Sequence, residues 1–117
     1  MKHILIADDS VSVAHALAAC LDGAYAVTVT HDGAEALAQA ERLPACDLLV
    51  TDYLMPNMDG AELAHRLKAL HPGARVLMLT GLGEELSLQG DLPDARLMKP
   101  FGPAELRDAV ALLIGPP

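Results

Sequence analysis

Short apolar runs alternate with helix-period stretches about five times along this chain. The runs are residues 3–7, 26–30, 47–51, 75–79 and 95–98. Only 26–30 alternates polar with apolar; the others are continuous, the pattern of strands covered on both faces. Between them, Ala14, Leu17, Ala18 and Leu21 recur at helical spacing behind Ser10, a good N-cap, and Gly23 ends that segment. Asp32 with Glu35, and Asp59 with Glu62, have the spacing of capping boxes. Leu63, Leu67 and Leu70 form the stripe of a third helix that stops before Pro72 and Gly73. Pro103 suits a first helical turn, followed by Leu106, Ala109, Val110 and Leu113 as a buried face. The stretch 81–90 holds Gly81, Gly83 and Gly90, which predicts a short or mobile fourth helix.

Repeated strand–helix units imply right-handed crossovers and a parallel sheet with helices on both faces. Five strands suit the flavodoxin-like order 2-1-3-4-5, an α/β fold whose ligands bind at the carboxyl ends of the strands. The whole chain, 1–117, reads as one domain, large enough to bury a core without staples. Three aromatic residues, Tyr25, Tyr53 and Phe101, leave that core to Leu, Ala and Val.

Charge narrows the function. Sixteen acidic residues against eight basic ones give a formal charge of −8, a poor match for nucleic acid. Cys20 and Cys46 have no zinc-ligand or CxxC spacing, so both are expected as buried, reduced thiols. The five histidines form no HxxxH or HExxH unit. Met1-Lys2-His3 runs straight into a strand, and no apolar stretch is long enough for a bilayer span, so the expected location is cytoplasmic.

The candidate chemistry sits at strand ends. Asp8 and Asp9 follow the first run, Asp52 the third, Thr80 the fourth and Lys99 the fifth. In a parallel sheet these positions converge on one edge, and three carboxylates brought together there repel each other unless a cation joins them. Phosphoryl transfer to an aspartate needs this set: a nucleophilic carboxylate, a divalent ion, a positive charge and a hydrogen-bond donor. Magnesium, or manganese, would take Asp9 and Asp52 as direct ligands and Asp8 through water. Lys99 supplies the ammonium group and Thr80 the hydroxyl.

Asp8-Asp9, Asp52-Tyr53-Leu54-Met55-Pro56, Asp59-Gly60, Thr80-Gly81 and Lys99-Pro100-Phe101 together resemble the receiver domain of two-component response regulators. The resemblance spans essentially the whole chain. It implies that Asp52 is the phosphoacceptor, served by a histidine kinase, a histidine phosphotransfer protein or a small phosphodonor. It also implies that the Leu54 carbonyl is a third magnesium ligand, Thr80 the switch hydroxyl and Lys99 the phosphoryl contact. A cis peptide before Pro100 and a tight backbone at Gly60 belong to the same pattern. The expected partners are the donor protein, a downstream protein or domain, and a second copy of the chain, with no nucleic acid and no membrane.

Two features depart from that pattern. Arg96 stands where the family usually has a tyrosine or phenylalanine that turns inward on switching. A guanidinium cannot enter an apolar slot without a partner, so Arg96 is expected outside, either paired with Glu84 or Glu85 or simply solvated; a solvated surface charge and an altered switch are the two readings of it. The shortened fourth helix is the second. Leu54 and Leu82 would flank the phosphoryl group without polar help for a hydrolytic water, which predicts slow autodephosphorylation. Two other classes fit parts of the pattern: a degenerate receiver acting as a constitutive interaction module, and an aspartate phosphohydrolase. The latter wants a DxD motif that Asp8-Asp9-Ser10 lacks. Met1 favours a natural start and Pro116-Pro117 a linker or cut, so the domain could stand alone or come from a longer regulator or hybrid kinase.

Overall fold

The computed structural model describes residues 1–81, 84 and 92–117. Five parallel strands, β1 (His3–Ala7), β2 (Ala26–Thr30), β3 (Leu48–Asp52), β4 (Arg75–Thr80) and β5 (Ala95–Met98), form one sheet in the order β2-β1-β3-β4-β5. Four helices are described: α1 (Val11–Leu21), α2 (Gly33–Arg42), α3 (Gly60–Leu70) and α4 (Pro103–Ile114). The stretch 81–90, expected as a short fourth helix, falls almost wholly outside the described residues.

Alternating side chains of the central strands build two separate cores. Ile4, Ile6, Leu48, Val50, Leu77 and Leu79 point to one face, where Ala14 and Leu17 of α1 and Leu106 and Val110 of α4 cover them. Leu5, Leu49, Val76 and Met78 point to the other, against Ala36 and Ala40 of α2 and Leu63, Ala64 and Leu67 of α3. Because both faces are covered, the central strands read as unbroken apolar runs. The two edges behave differently. β5 had been expected to be covered on both faces, but Arg96 and Met98 are exposed there while Ala95 and Leu97 face the core. An edge strand flanked by one neighbour can leave one face open.

The caps follow the sequence. Ser10 Oγ accepts the Val13 amide, Asp32 Oδ1 the Glu35 amide at 2.7 Å and Asp59 Oδ1 the Glu62 amide at 2.8 Å. In α3 the stripe shifts: Leu63 and Leu67 are buried, but Leu70 is exposed, and Ala61 and Ala64 complete the face. Leu70 lies in the last turn, past the end of the surface that α2 and the sheet offer.

Two strands also shift. β3 begins and ends one residue later than expected, and Asp52 pairs in register with Leu79. The next amide, of Tyr53, still donates to the Leu79 carbonyl at 3.0 Å. Thr80 likewise closes β4, opposite Met98. Asp52 and Thr80 are therefore held by ladder bonds rather than by loops.

Candidate functional site

The carboxyl ends of β1, β3, β4 and β5 carry the acidic residues, the threonine and the lysine to a single rim. Asp8, Asp9 and Asp52 each bring one carboxylate oxygen within 4.8 Å of the others. Asp8 is 1% exposed and Asp52 7%, whereas Asp9 is open to solvent. Lys99 Nζ donates to Asp52 Oδ1 at 2.8 Å, and the Lys99 amide donates to the Thr80 carbonyl at 2.7 Å. Thr80 is itself buried beside them. The five residues singled out from sequence thus meet, although they come from four strands.

Electrostatics at the rim are unbalanced. Burial pushes the Asp8 carboxyl above its ordinary value; the Ser10 amide opposes this, Asp52 reinforces it, Lys99 opposes it and Asp9 adds to it. Asp8 Oδ1 accepts the Ser10 amide at 2.9 Å, but Oδ2 is buried and has no hydrogen-bond partner. For Lys99, burial lowers the ammonium's affinity for its proton, yet the Asp52 hydrogen bond and the charges of Asp52, Asp8 and Glu84 outweigh it and raise the value. One lysine thus faces three carboxylates. A buried orphan oxygen and three converging hard-oxygen donors fit a divalent cation that prefers oxygen, such as magnesium or manganese.

The acceptor loop is fixed by backbone contacts. The Gly60 amide donates to the Tyr53 carbonyl at 2.8 Å, and Asn57 takes a positive φ of 69°. A Cβ on Gly60 would sit 2.5 Å from the Asp52 carbonyl oxygen and 3.1 Å from the Tyr53 Cα. Only glycine lets α3 start this close to the acceptor strand. The Leu54 side chain projects from the rim, 58% exposed. The Lys99–Pro100 peptide is cis.

Residues 4–111 match the response regulator receiver domain family. The chain belongs to that family. It is 39% identical over 114 residues to the response regulator receiver protein CpdR of Brucella abortus, covering 94% of this chain and 92% of that one. It is 34% identical over 117 residues to the alkaline phosphatase synthesis transcriptional regulatory protein PhoP of Bacillus subtilis, covering 97% of this chain but 48% of that one. Among solved structures, a CheY-like receiver domain protein from Methanospirillum hungatei superposes with a TM-score of 0.82 at 30% identity, covering 96% of this chain and 92% of that chain. The rim described above is therefore the acidic pocket of a receiver domain, with Asp8, Asp9 and Asp52 in the arrangement of its metal site.

Some expectations change against this receiver. Arg96 is exposed, as expected, but its pairing with Glu84 is absent: Arg96 makes no ion pair among the described residues. Glu84 instead accepts the Gly81 amide through Oε2 at 2.5 Å, in the turn after β4, while its Oε1 is buried without a hydrogen-bond partner. Glu85 and Leu82 lie outside the described residues. Cys46 is buried and its thiol is pushed up to about 11 by burial, while Cys20 is only half-buried; both are unpaired. No helix among the described residues is long and apolar enough to cross a membrane. Two features have no signal in the sequence: the Lys99–Thr80 backbone bond that couples the ends of β4 and β5, and the Ser10 amide that holds Asp8.

Proposed function

We propose that this receiver accepts a phosphoryl group on Asp52 from a histidine kinase or a histidine phosphotransfer protein and thereby changes its contacts with a downstream protein or domain. The observation that carries the reading is the Asp52 carboxylate at the rim, tied through one oxygen to Lys99 and flanked by Asp8 and Asp9. An Asp52 oxygen forms a bond to phosphorus as the bond from phosphorus to the donor histidine nitrogen breaks, and the nitrogen keeps that electron pair. Lys99 already sits on Asp52 Oδ1 and neutralises charge on the transferring group from there. Magnesium or manganese would be held by Asp9, Asp52 and the Leu54 carbonyl, with Asp8 reached through water. When bound it supplies charge neutralisation for the phosphoryl oxygens.

Thr80, buried at the end of β4, is the hydroxyl placed to follow the phosphoryl group. Its carbonyl bond to the Lys99 amide links that movement to β5, where Arg96 stands in place of an aromatic switch residue. The phosphoryl group favours one of two pre-existing states. Autodephosphorylation is slow because Leu54 offers an attacking water no hydrogen-bond partner. The reading places the domain, residues 1–117, in the cytoplasm, with self-association as one route to output.

The test adds magnesium and beryllofluoride, a phosphoryl mimic, to wild type and to Asp52→Asn while amide spectra are recorded. Shifts at Thr80 and along β5 in wild type alone support the reading. No response in either protein would make the domain a constitutive interaction module, and repeated release of phosphate from added substrates would make it a phosphatase.

A further inference from the structure

A second group of ligating side chains lies at the β2 edge of the rim, outside the acidic pocket. His31 follows Thr30, whose carbonyl accepts the Asp8 amide at 3.2 Å, so this imidazole starts beside the β1–α1 loop. His15 comes from the second turn of α1, on the opposite helical layer from α2. Their ring centres are 6.3 Å apart with planes inclined at 62°. Glu35 Oε1 lies 3.7 Å from His31 Nδ1, while His31 Nε2 is buried and has no hydrogen-bond partner.

We propose that His15 and His31 form a cation site for a divalent transition-metal ion of the zinc, cobalt or nickel class, distinct from the oxygen-lined pocket. Metal-bound histidines commonly give their second ring nitrogen to a carboxylate, which fixes the tautomer and raises ligand basicity. Glu35 Oε1, at 3.7 Å, stands just outside hydrogen-bond range of His31 Nδ1 and favours a proton there through its charge, which leaves a free lone pair on Nε2. A buried Nε2 without a partner is a standing cost that coordination removes. Two imidazoles on one tetrahedral ion, with metal–nitrogen distances of about 2.0–2.1 Å, have ring centres roughly 5 Å apart. The observed spacing is 6.3 Å, and His15 is exposed and free to rotate through the difference. Water completes the coordination.

Imidazole selects such ions over magnesium, which keeps the two sites chemically separate. A bound ion would fasten α1 to the connection entering α2, joining the two helical layers around the sheet edge. The histidines are far apart in sequence and share no motif, so this pair exists only in the folded chain.

Cobalt(II), added to the protein in saturating magnesium, reports the site through paramagnetic broadening of histidine ring resonances. Both the His15 and His31 rings should broaden, at cobalt concentrations that leave His3, His65 and His71 sharp. His15→Asn and His31→Asn should each weaken cobalt binding at least tenfold, and Glu35→Gln only several-fold, through loss of a nearby negative charge. Broadening centred on Asp9 and Asp52 alone would overturn the proposal. So would broadening of one ring that persists when the other histidine is removed. The histidine variants keep the two sites apart: cobalt held in the acidic pocket would go on broadening the remaining ring after the other histidine is removed, whether or not that pocket binds magnesium.

Discussion

Replacing Gly60 with alanine tests whether the acceptor geometry is set by the close approach of α3. The added methyl would lie 2.5 Å from the Asp52 carbonyl oxygen, 2.7 Å from Met78 Sδ and 3.1 Å from Tyr53 Cα. Ordinary carbon–oxygen contacts are about 3.3–3.6 Å, so helix and strand must part by roughly 0.8–1.1 Å. Met78 Sδ can swing away, but two of the three obstacles are backbone. Overpacking of this kind costs about 1–3 kcal/mol, offset by up to about 1 kcal/mol from the better helix propensity of alanine. The net loss of stability should be about 1 kcal/mol. Activity should suffer more, because the displaced backbone carries the acceptor carboxylate, and a misplacement near 1 Å can cost about a hundredfold.

Phosphorylation by acetyl phosphate, followed by mass spectrometry, should slow about 10–100-fold in Gly60→Ala. Urea unfolding measures the stability change in parallel. Gly73→Ala is the control: no atom lies within 4 Å of its added methyl, so rate and midpoint should stay near wild type. A Gly60→Ala protein with the wild-type rate would refute the reasoning even if its stability fell, since the acceptor would then be positioned by something else.

Three further outcomes follow from the rim and core. Asp8→Asn should raise the stability of the metal-free protein at neutral pH by about 1–2 kcal/mol, by removing a buried charge, while weakening magnesium binding. Because the folded-state pKa of Asp8 is raised, wild-type stability increases as pH falls through that value toward the unfolded value, so the variant's advantage should vanish in acid. An advantage that persists at low pH in urea titrations would contradict the burial argument. Lys99→Met should bind magnesium several-fold more tightly, by calorimetry, because it removes a cation competing for Asp52, yet it should accept phosphate about 10–100-fold more slowly. Tighter binding without the loss of rate would remove Lys99 from the transfer step. Cys46 should resist alkylation until the domain unfolds, whereas half-buried Cys20 should label in the native state; equal native rates would argue against the packed second core.

Much of this could be read from the chain itself. Apolar runs buried on both faces announce central strands, so β1, β3 and β4 were legible, and strand ends carrying Asp8, Asp9, Asp52, Thr80 and Lys99 pointed to a shared edge. Caps such as Asp32 and Asp59 depend on three-residue spacing, which sequence preserves. Edge exposure does not: β5 looks like a buried run because its composition cannot say that one neighbour is missing. Leu70 looked like core because helical period says which residues share a face, but not where the opposing surface ends. The pairing expected between Arg96 and Glu84 also fails, because the Glu84 carboxylate meets the Gly81 amide in its own turn instead. Local periodicity thus determined the elements and the order of the chemical groups along the rim. Distances between strands decided the rest: the 2.8 Å bond from Lys99 to Asp52, the orphaned oxygen of Asp8 and the meeting of His15 with His31. Those depend on how residues remote in sequence are brought within contact range, and no local pattern encodes that.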